Sequence, residues 1–232
     1  MIPKIIHYCW FGGKSKPKSV LAYIDTWKKY LPDFEIKEWN EDNYDVNMMK
    51  YTKEAYFAKK YAFVSDVVRL YALVNEGGIY LDTDIRIVKR FSEELLHSHG
   101  FLGFEHNVYV MTGVMACEPN NILLKDFFYT YKARSFFKTF SFDLRTNVLC
   151  LTDFMKQRGL KCDNKMQKFE DLILLPQEYL CANDFETQTF YNNEKTYTIH
   201  EFSYSWGNEK KIVRHFKEIN TIIKYKILNL WF

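Results

Sequence analysis

At 232 residues and 47% hydrophobic content, the chain can bury one sizeable core, and a single domain is expected. The net charge of +3 is unevenly spread: residues 209–232 hold six Lys or Arg against two Glu, which leaves the remainder near −1 and excludes a nucleic-acid face on the main body. No run of about 18 apolar residues occurs and no basic flank precedes an apolar N-terminal stretch, so neither a transmembrane helix nor a signal segment is read, and a cytoplasmic location is expected.

In chain order, Lys4 to Tyr8 reads as a short buried strand that ends in the glycine turn Trp10-Phe11-Gly12-Gly13. Pro17 opens a helix whose apolar positions Val20, Leu21, Ile24, Trp27 and Leu31 recur at helical spacing until Pro32-Asp33. Phe34, Ile36 and Trp39 alternate with charged residues as a second strand, and the strand–helix–strand unit predicts two neighbouring parallel strands of an α/β sheet. Residues 53–76 carry the longest helical pattern, stopped by Gly77-Gly78, and an extended segment with Asp82 and Asp84 follows at once. Phe101 to Phe104 and Tyr109 to Ala116 read as strands, Ile122 to Tyr131 and Leu144 to Lys156 as helices, and Leu172 to Leu175 and Thr196 to His200 as the last strands.

The tail from Glu209 places Ile212, Phe216, Ile219, Ile223, Ile227 and Leu230 at spacings of three and four among lysines, an amphipathic basic helix appended to a domain over residues 1–208. Two placements stay open for it. It packs on the domain, or its lysines and the terminal Leu230-Trp231-Phe232 settle on an anionic membrane surface, the second being slightly favoured by the aromatic end. The cysteines Cys9, Cys117, Cys150, Cys162 and Cys181 are odd in number, widely spaced and without a C-x-x-C pair, and read as reduced thiols. The 18% aromatic content suits a core, and a cleft, in which rings stack on sugars and bases.

The chemistry centres on Asp82-Thr83-Asp84. On an extended segment, side chains two apart share a face, so both carboxylates can converge on one hard cation while Ile79, Leu81 and Ile85 face the core. An isolated D-x-D reads first as a solvated strand end. Upstream, Asp66 and Arg69 are three apart and share a helix face, an arrangement that alone reads as a surface ion pair worth a few tenths of a kcal/mol. The unbroken pattern of Ala62, Ser65, Asp66, Arg69, Leu73, Gly77, Gly78, Tyr80, Asp82 and Asp84 raises both above these readings.

That pattern resembles glycosyltransferase family 32, the DXD-containing sugar transferases that include capsular-polysaccharide enzymes and α-mannosyltransferases, and it is distantly similar to the large glucosylating bacterial toxins. Ile2-Pro3-Lys4-Ile5-Ile6-His7 with Trp10-Phe11-Gly12 looks like the family's opening, and His200 with Ser205-Trp206 resembles its C-terminal element. The resemblance implies a GT-A type α/β fold, Rossmann-like, with a mixed, mainly parallel sheet flanked by helices. It further implies a nucleotide-diphosphate sugar as donor, a UDP-sugar being favoured, with Mn2+ or Mg2+ as cofactor and a retaining transfer to an oligosaccharide or lipid-linked glycan.

By the same resemblance, Asp84 binds the cation, with Asp82 directly or through water, and His200 is a further ligand or a diphosphate contact. Asp66 and Arg69 hold donor-sugar hydroxyls beside Ser65, Trp10 stacks on the base or covers the donor, Tyr80 supports the site, and Trp206 closes over the diphosphate. Thr146-Asn147-Val148 stands where many relatives carry a T-G-P-like element, so Asn147 is expected to alter donor-sugar or acceptor preference. The competing classes are a non-catalytic nucleotide-sugar-binding module and, with Ile85-Arg86 in place of its nucleophile context, a phosphohydrolase.

Overall fold

The computed structural model of the chain describes residues 1–184, 189–190, 193–202 and 220–228. The elements in order are β1 (Ile5–Cys9), α1 (Lys18–Tyr30), β2 (Glu35–Trp39), α2 (Lys50–Phe57), α3 (Tyr61–Glu76), β3 (Gly78–Leu81), β4 (Ile85–Ile87), α4 (Glu93–Leu96), β5 (Gly100–Glu105), β6 (Tyr109–Val110) and β7 (Val114–Cys117). They continue with α5 (Ile122–Thr130), α6 (Asn147–Gln157), β8 (Gln167–Phe169), β9 (Leu172–Leu175), α7 (Gln177–Leu180), β10 (Asn183–Asp184), β11 (Thr189–Phe190) and β12 (Thr198–His200).

The main sheet runs β2-β1-β3-β7-β5-β9-β8, with β6 beside β5. β1 lies parallel to both β2 and β3, and β5 parallel to β9, while β7 and β8 run against their neighbours. Five of the seven strands on that path therefore share a direction, and the α/β class of the GT-A type expectation holds.

Strand alternation divides the core. Ile79 and Leu81 of β3, with Ala116 of β7, join Ile24 and Trp27 of α1 on one side. Tyr80 and Met115 join Val67 and Leu70 of α3 and Leu124 of α5 on the other. Burial on both faces is why these strands are continuously apolar rather than alternating.

The long helical pattern at 53–76 is two helices. Lys60 N–H donates to Ala55 O (2.9 Å) and Lys59 N–H to Tyr56 O (2.8 Å), the paired bonds of a Schellman stop, with Lys59 left-handed at φ 57°. Apolar periodicity runs through the stop because both helices bury a face in the same core.

The twin glycines are required by their surroundings. Gly77 and Gly78 have φ of 66° and 97°, and a Cβ on Gly78 would lie 2.6 Å from Ile5 O. His7, from the opening motif, sits fully buried beneath them: Trp39 Nε1–H donates to its Nδ1 (3.0 Å), which leaves Nε2–H to donate to Gly77 O (2.8 Å). One histidine thus ties β1, β2 and the α3–β3 joint.

Residues 220–228 are helical, and this part of the tail packs on the domain. Ile222 is buried, and the Tyr225 ring meets Phe57 and Phe137 at 5.2 and 4.9 Å. Ile223, Ile227 and Leu228 are exposed. This helix, with Lys53, Lys59 and Tyr61 opposite, lines a cavity of about 770 Å3. Leu230, Trp231 and Phe232, the aromatic end, lie outside the described residues. No described helix is long and apolar enough to cross a membrane, and none of the five cysteines is in a disulfide.

Candidate functional site

α3 carries Asp66 and Arg69 on the face turned toward the end of β3. The sequence allowed a surface ion pair there; the structure buries it. Arg69 Nη2 lies 3.0 Å from Asp66 Oδ1 and 3.2 Å from Asp82 Oδ1, with Arg69 only 5% exposed. Arg69 Nη1 donates to Thr112 O (2.6 Å), and the guanidinium stacks 4.7 Å over the Tyr80 ring. Tyr80 is both a buried ring and a support for the site, since its hydroxyl donates to Asp82 Oδ1 (2.8 Å).

Two carboxylates on one guanidinium leave unspent acceptor capacity, which suits hydroxyl recognition. Burial pushes the Asp66 carboxyl up to about 6 against the pull of Arg69. Burial also opposes the charge of Arg69, but Asp82, Tyr80 and Asp66 outweigh it and hold the guanidinium charged. The neighbouring Cys9 thiol is pushed up to about 12 by burial and is chemically quiet.

The acidic pair does not lie on an extended strand. β3 ends at Leu81, and Ile85 N–H donates to Asp82 O (3.0 Å), closing a turn over residues 82–85. The same-face geometry of a strand is therefore replaced by divergence: Asp82 turns to Arg69 and Tyr80, and Asp84 turns to His200. The turn is pinned at both ends, by Asp82 N–H to Gly113 O (2.8 Å) and by Glu201 N–H to Asp84 O (3.0 Å).

His200 reaches the site because β12 pairs antiparallel with β4, in a register that sets His200 opposite Ile85. Its Nε2 lies 3.3 Å from Asp84 Oδ1. Burial opposes its charge, yet Asp84 and then Glu105 outweigh it and raise its pKa. The Asp84 carboxylate with the adjoining imidazole suits a hard or borderline divalent ion, while Asp82 is turned to Arg69 and Tyr80.

Other expected residues take different places. Asn147, the first residue of α6, is buried; it donates to Asp66 O (3.2 Å) and accepts from Tyr131 OH (3.1 Å), bracing α3 from behind. Ser65 donates to Tyr61 O (3.1 Å) within its own helix. Trp10 follows β1, and its Nε1–H donates to Lys14 O (2.6 Å), folding the indole onto the glycine loop. Trp206 and Ser205 lie outside the described residues.

Several participants were not singled out from the sequence. Thr112 contributes only a carbonyl, which no residue type announces. Glu105 closes the apolar strand Phe101-Leu102-Gly103-Phe104, and that buried-strand acid was the one signal available; burial raises its pKa. Cys181 follows α7 without any motif.

Residues 17–102 match the family model of the glycosyltransferase sugar-binding region containing the DXD motif. Over that stretch the chain is similar to DXD glycosyltransferases. Within it fall Asp66, Arg69, Tyr80, Asp82 and Asp84, whereas Glu105, Asn147, Cys181 and His200 come from outside it. A glycosyltransferase of Acanthamoeba polyphaga mimivirus is 30% identical over 131 residues, covering 52% of this chain and 52% of the relative. The Subversion of eukaryotic traffic protein A of Legionella pneumophila is 26% identical over 129 residues, covering 44% of this chain and 20% of that protein. The chain thus spans about half, or less, of the length of these curated relatives. Among solved structures, the PaToxG glycosyltransferase aligns at TM-score 0.49 and 20% identity, over 68% of this chain and 70% of its own.

Proposed function

We propose that this chain is a metal-dependent, retaining glycosyltransferase that moves a hexose from a nucleotide-diphosphate sugar, favouring a UDP-sugar, to a hydroxyl of a surface polysaccharide or glycolipid. The observation that carries the reading is the buried Asp66–Arg69–Asp82 cluster beside the Asp82–Asp84 turn, inside the matched family region. In this reading Asp66 accepts and Arg69 donates hydrogen bonds to donor-sugar hydroxyls, with Asn147 and Tyr80 fixing their placement. Asp84, with Asp82 directly or through water, would hold Mn2+ or Mg2+, which supplies charge stabilisation to the departing diphosphate.

His200, at 3.3 Å, orients the Asp84 carboxylate or meets the diphosphate. The acceptor hydroxyl attacks from the face that the diphosphate leaves, and a donor phosphate oxygen takes its proton. In this reading the enzyme works in the cytoplasm and meets a lipid-linked glycan acceptor at the inner membrane face.

Asp84→Ala tests this with purified donor and Mn2+. Donor hydrolysis and transfer are expected to fall roughly a hundredfold or more, with thermal unfolding of the metal-free chain unchanged. Turnover equal to the wild type would sink the proposal. The donor itself is found by a thermal-shift screen of nucleotide sugars with and without Mn2+, since a ligand at 100 times its dissociation constant adds about 2.7 kcal/mol.

A further inference from the structure

Beyond the acidic turn, three chemically different side chains meet at the ends of three separate elements. Glu105 ends β5, Cys181 follows α7, and His200 ends β12, and each offers a ligand atom within 4.8 Å of the other two. One feature of this trio asks for a partner. His200 Nδ1 is buried without a hydrogen-bond partner, while Nε2 faces Asp84. Beside it lies the Glu105 carboxyl, 7% exposed, which interacts electrostatically with the His200 and His106 rings. A buried polar atom without a partner is uncommon in folded proteins, and an ion bound there accounts for one.

We propose that Glu105, Cys181 and His200 form a second cation site, of borderline-soft character and filled by Zn2+ or an ion of its class, separate from the hard-cation position at Asp82 and Asp84. A thiolate, an imidazole and a carboxylate are a zinc donor set, and sulfur disfavours Mg2+ and Mn2+. Ligand atoms around tetrahedral zinc stand about 3.5 Å apart, so rotamer shifts of roughly 1 Å close the trio on an ion and leave a fourth position for water. Binding converts the Cys181 thiol to a thiolate and releases its proton to solvent; the Sγ contact to Asn183 O (3.6 Å) is given up for the metal.

The arrangement also explains why His200 stands against Asp84. A metal-bound histidine characteristically hydrogen-bonds a carboxylate through its other nitrogen, and here that carboxylate is Asp84. The second ion would accordingly fix the orientation of a donor-site residue from behind. This inference does not depend on sugar transfer.

The test is Co2+ titration of the chelator-stripped full chain. One equivalent is expected to give a near-ultraviolet sulfur-to-cobalt charge-transfer band that one equivalent of Zn2+ bleaches. Cys181→Ser is expected to abolish the band, Cys162→Ser to leave it, and Glu105→Gln to weaken Zn2+ binding at least about tenfold. Absence of the band in the wild-type chain overturns the site, whatever the variants do. So does its persistence in Cys181→Ser, or Zn2+ affinity unchanged in Glu105→Gln. Donor hydrolysis in Mn2+ is measured separately, so loss of one reading leaves the other standing.

Discussion

Asp66 is where burial and function pull in opposite directions. Its carboxyl is raised to about 6 by burial, while Arg69 and Arg134 favour the charged form and Asp82 opposes it. In the unfolded chain an aspartate titrates near about 3.9. Between those values the folded state holds a proton that the unfolded state has lost, so this group's contribution to stability declines as pH rises through the window. The proposed donor recognition needs the opposite, an ionised acceptor for sugar hydroxyls. Transfer at sub-saturating donor is therefore expected to fall below about pH 6, approaching tenfold per unit, and Asp66→Asn should be slow and flat across the same range. A pH–rate profile of kcat/KM checks it; an acid limb that survives in Asp66→Asn would assign the titration elsewhere.

At the scale of elements, the sequence was most legible where one face alone decides the structure. α1, β1, β2 and β9 fall within a residue or two of their expected bounds because apolar spacing and punctuation agree there. The α2–α3 break was hidden because its stop residue is Lys59, not glycine. A non-glycine residue in the left-handed region costs roughly 1 kcal/mol, so Lys59→Gly is expected to stabilise the chain by about 0.5–1 kcal/mol, with urea midpoints as the readout. No change would show that the Lys59 side chain repays its own strain.

The site was legible in the same uneven way. Asp66, Arg69, Tyr80 and Asp82 come from one local run and meet, while Asp84 of the same run turns to His200. What the run could not show was the turn at residues 82–85, because a three-residue acidic motif reads alike as strand or turn until its backbone bonds are known. Glu105 and Cys181 were invisible for another reason: their meeting with His200 depends on sheet order, which no local pattern encodes.

On the scale of the whole molecule, the tail decides between two placements. Ile222 is buried among Phe57, Tyr225 and the neighbouring core, which favours packing on the domain over the membrane placement for residues 220–228. Ile222→Ala is expected to cost about 2 kcal/mol or more in denaturant unfolding. If the same change left stability intact and instead lowered co-sedimentation with anionic vesicles, the helix would belong to a lipid surface.

The pairing of β12 with β4 has a temporal consequence. Arg86 and Glu201 are joined at 2.9 Å although 115 residues separate them, and His200 arrives at Asp84 by the same pairing. During synthesis the acidic turn leaves the ribosome long before the strand that completes it. At the roughly 5–20 residues per second of translation, the turn waits some seconds for its histidine. An emerging chain can therefore assemble its first parallel strands while the proposed donor site is still missing a wall, and that site closes only once β12 has been made.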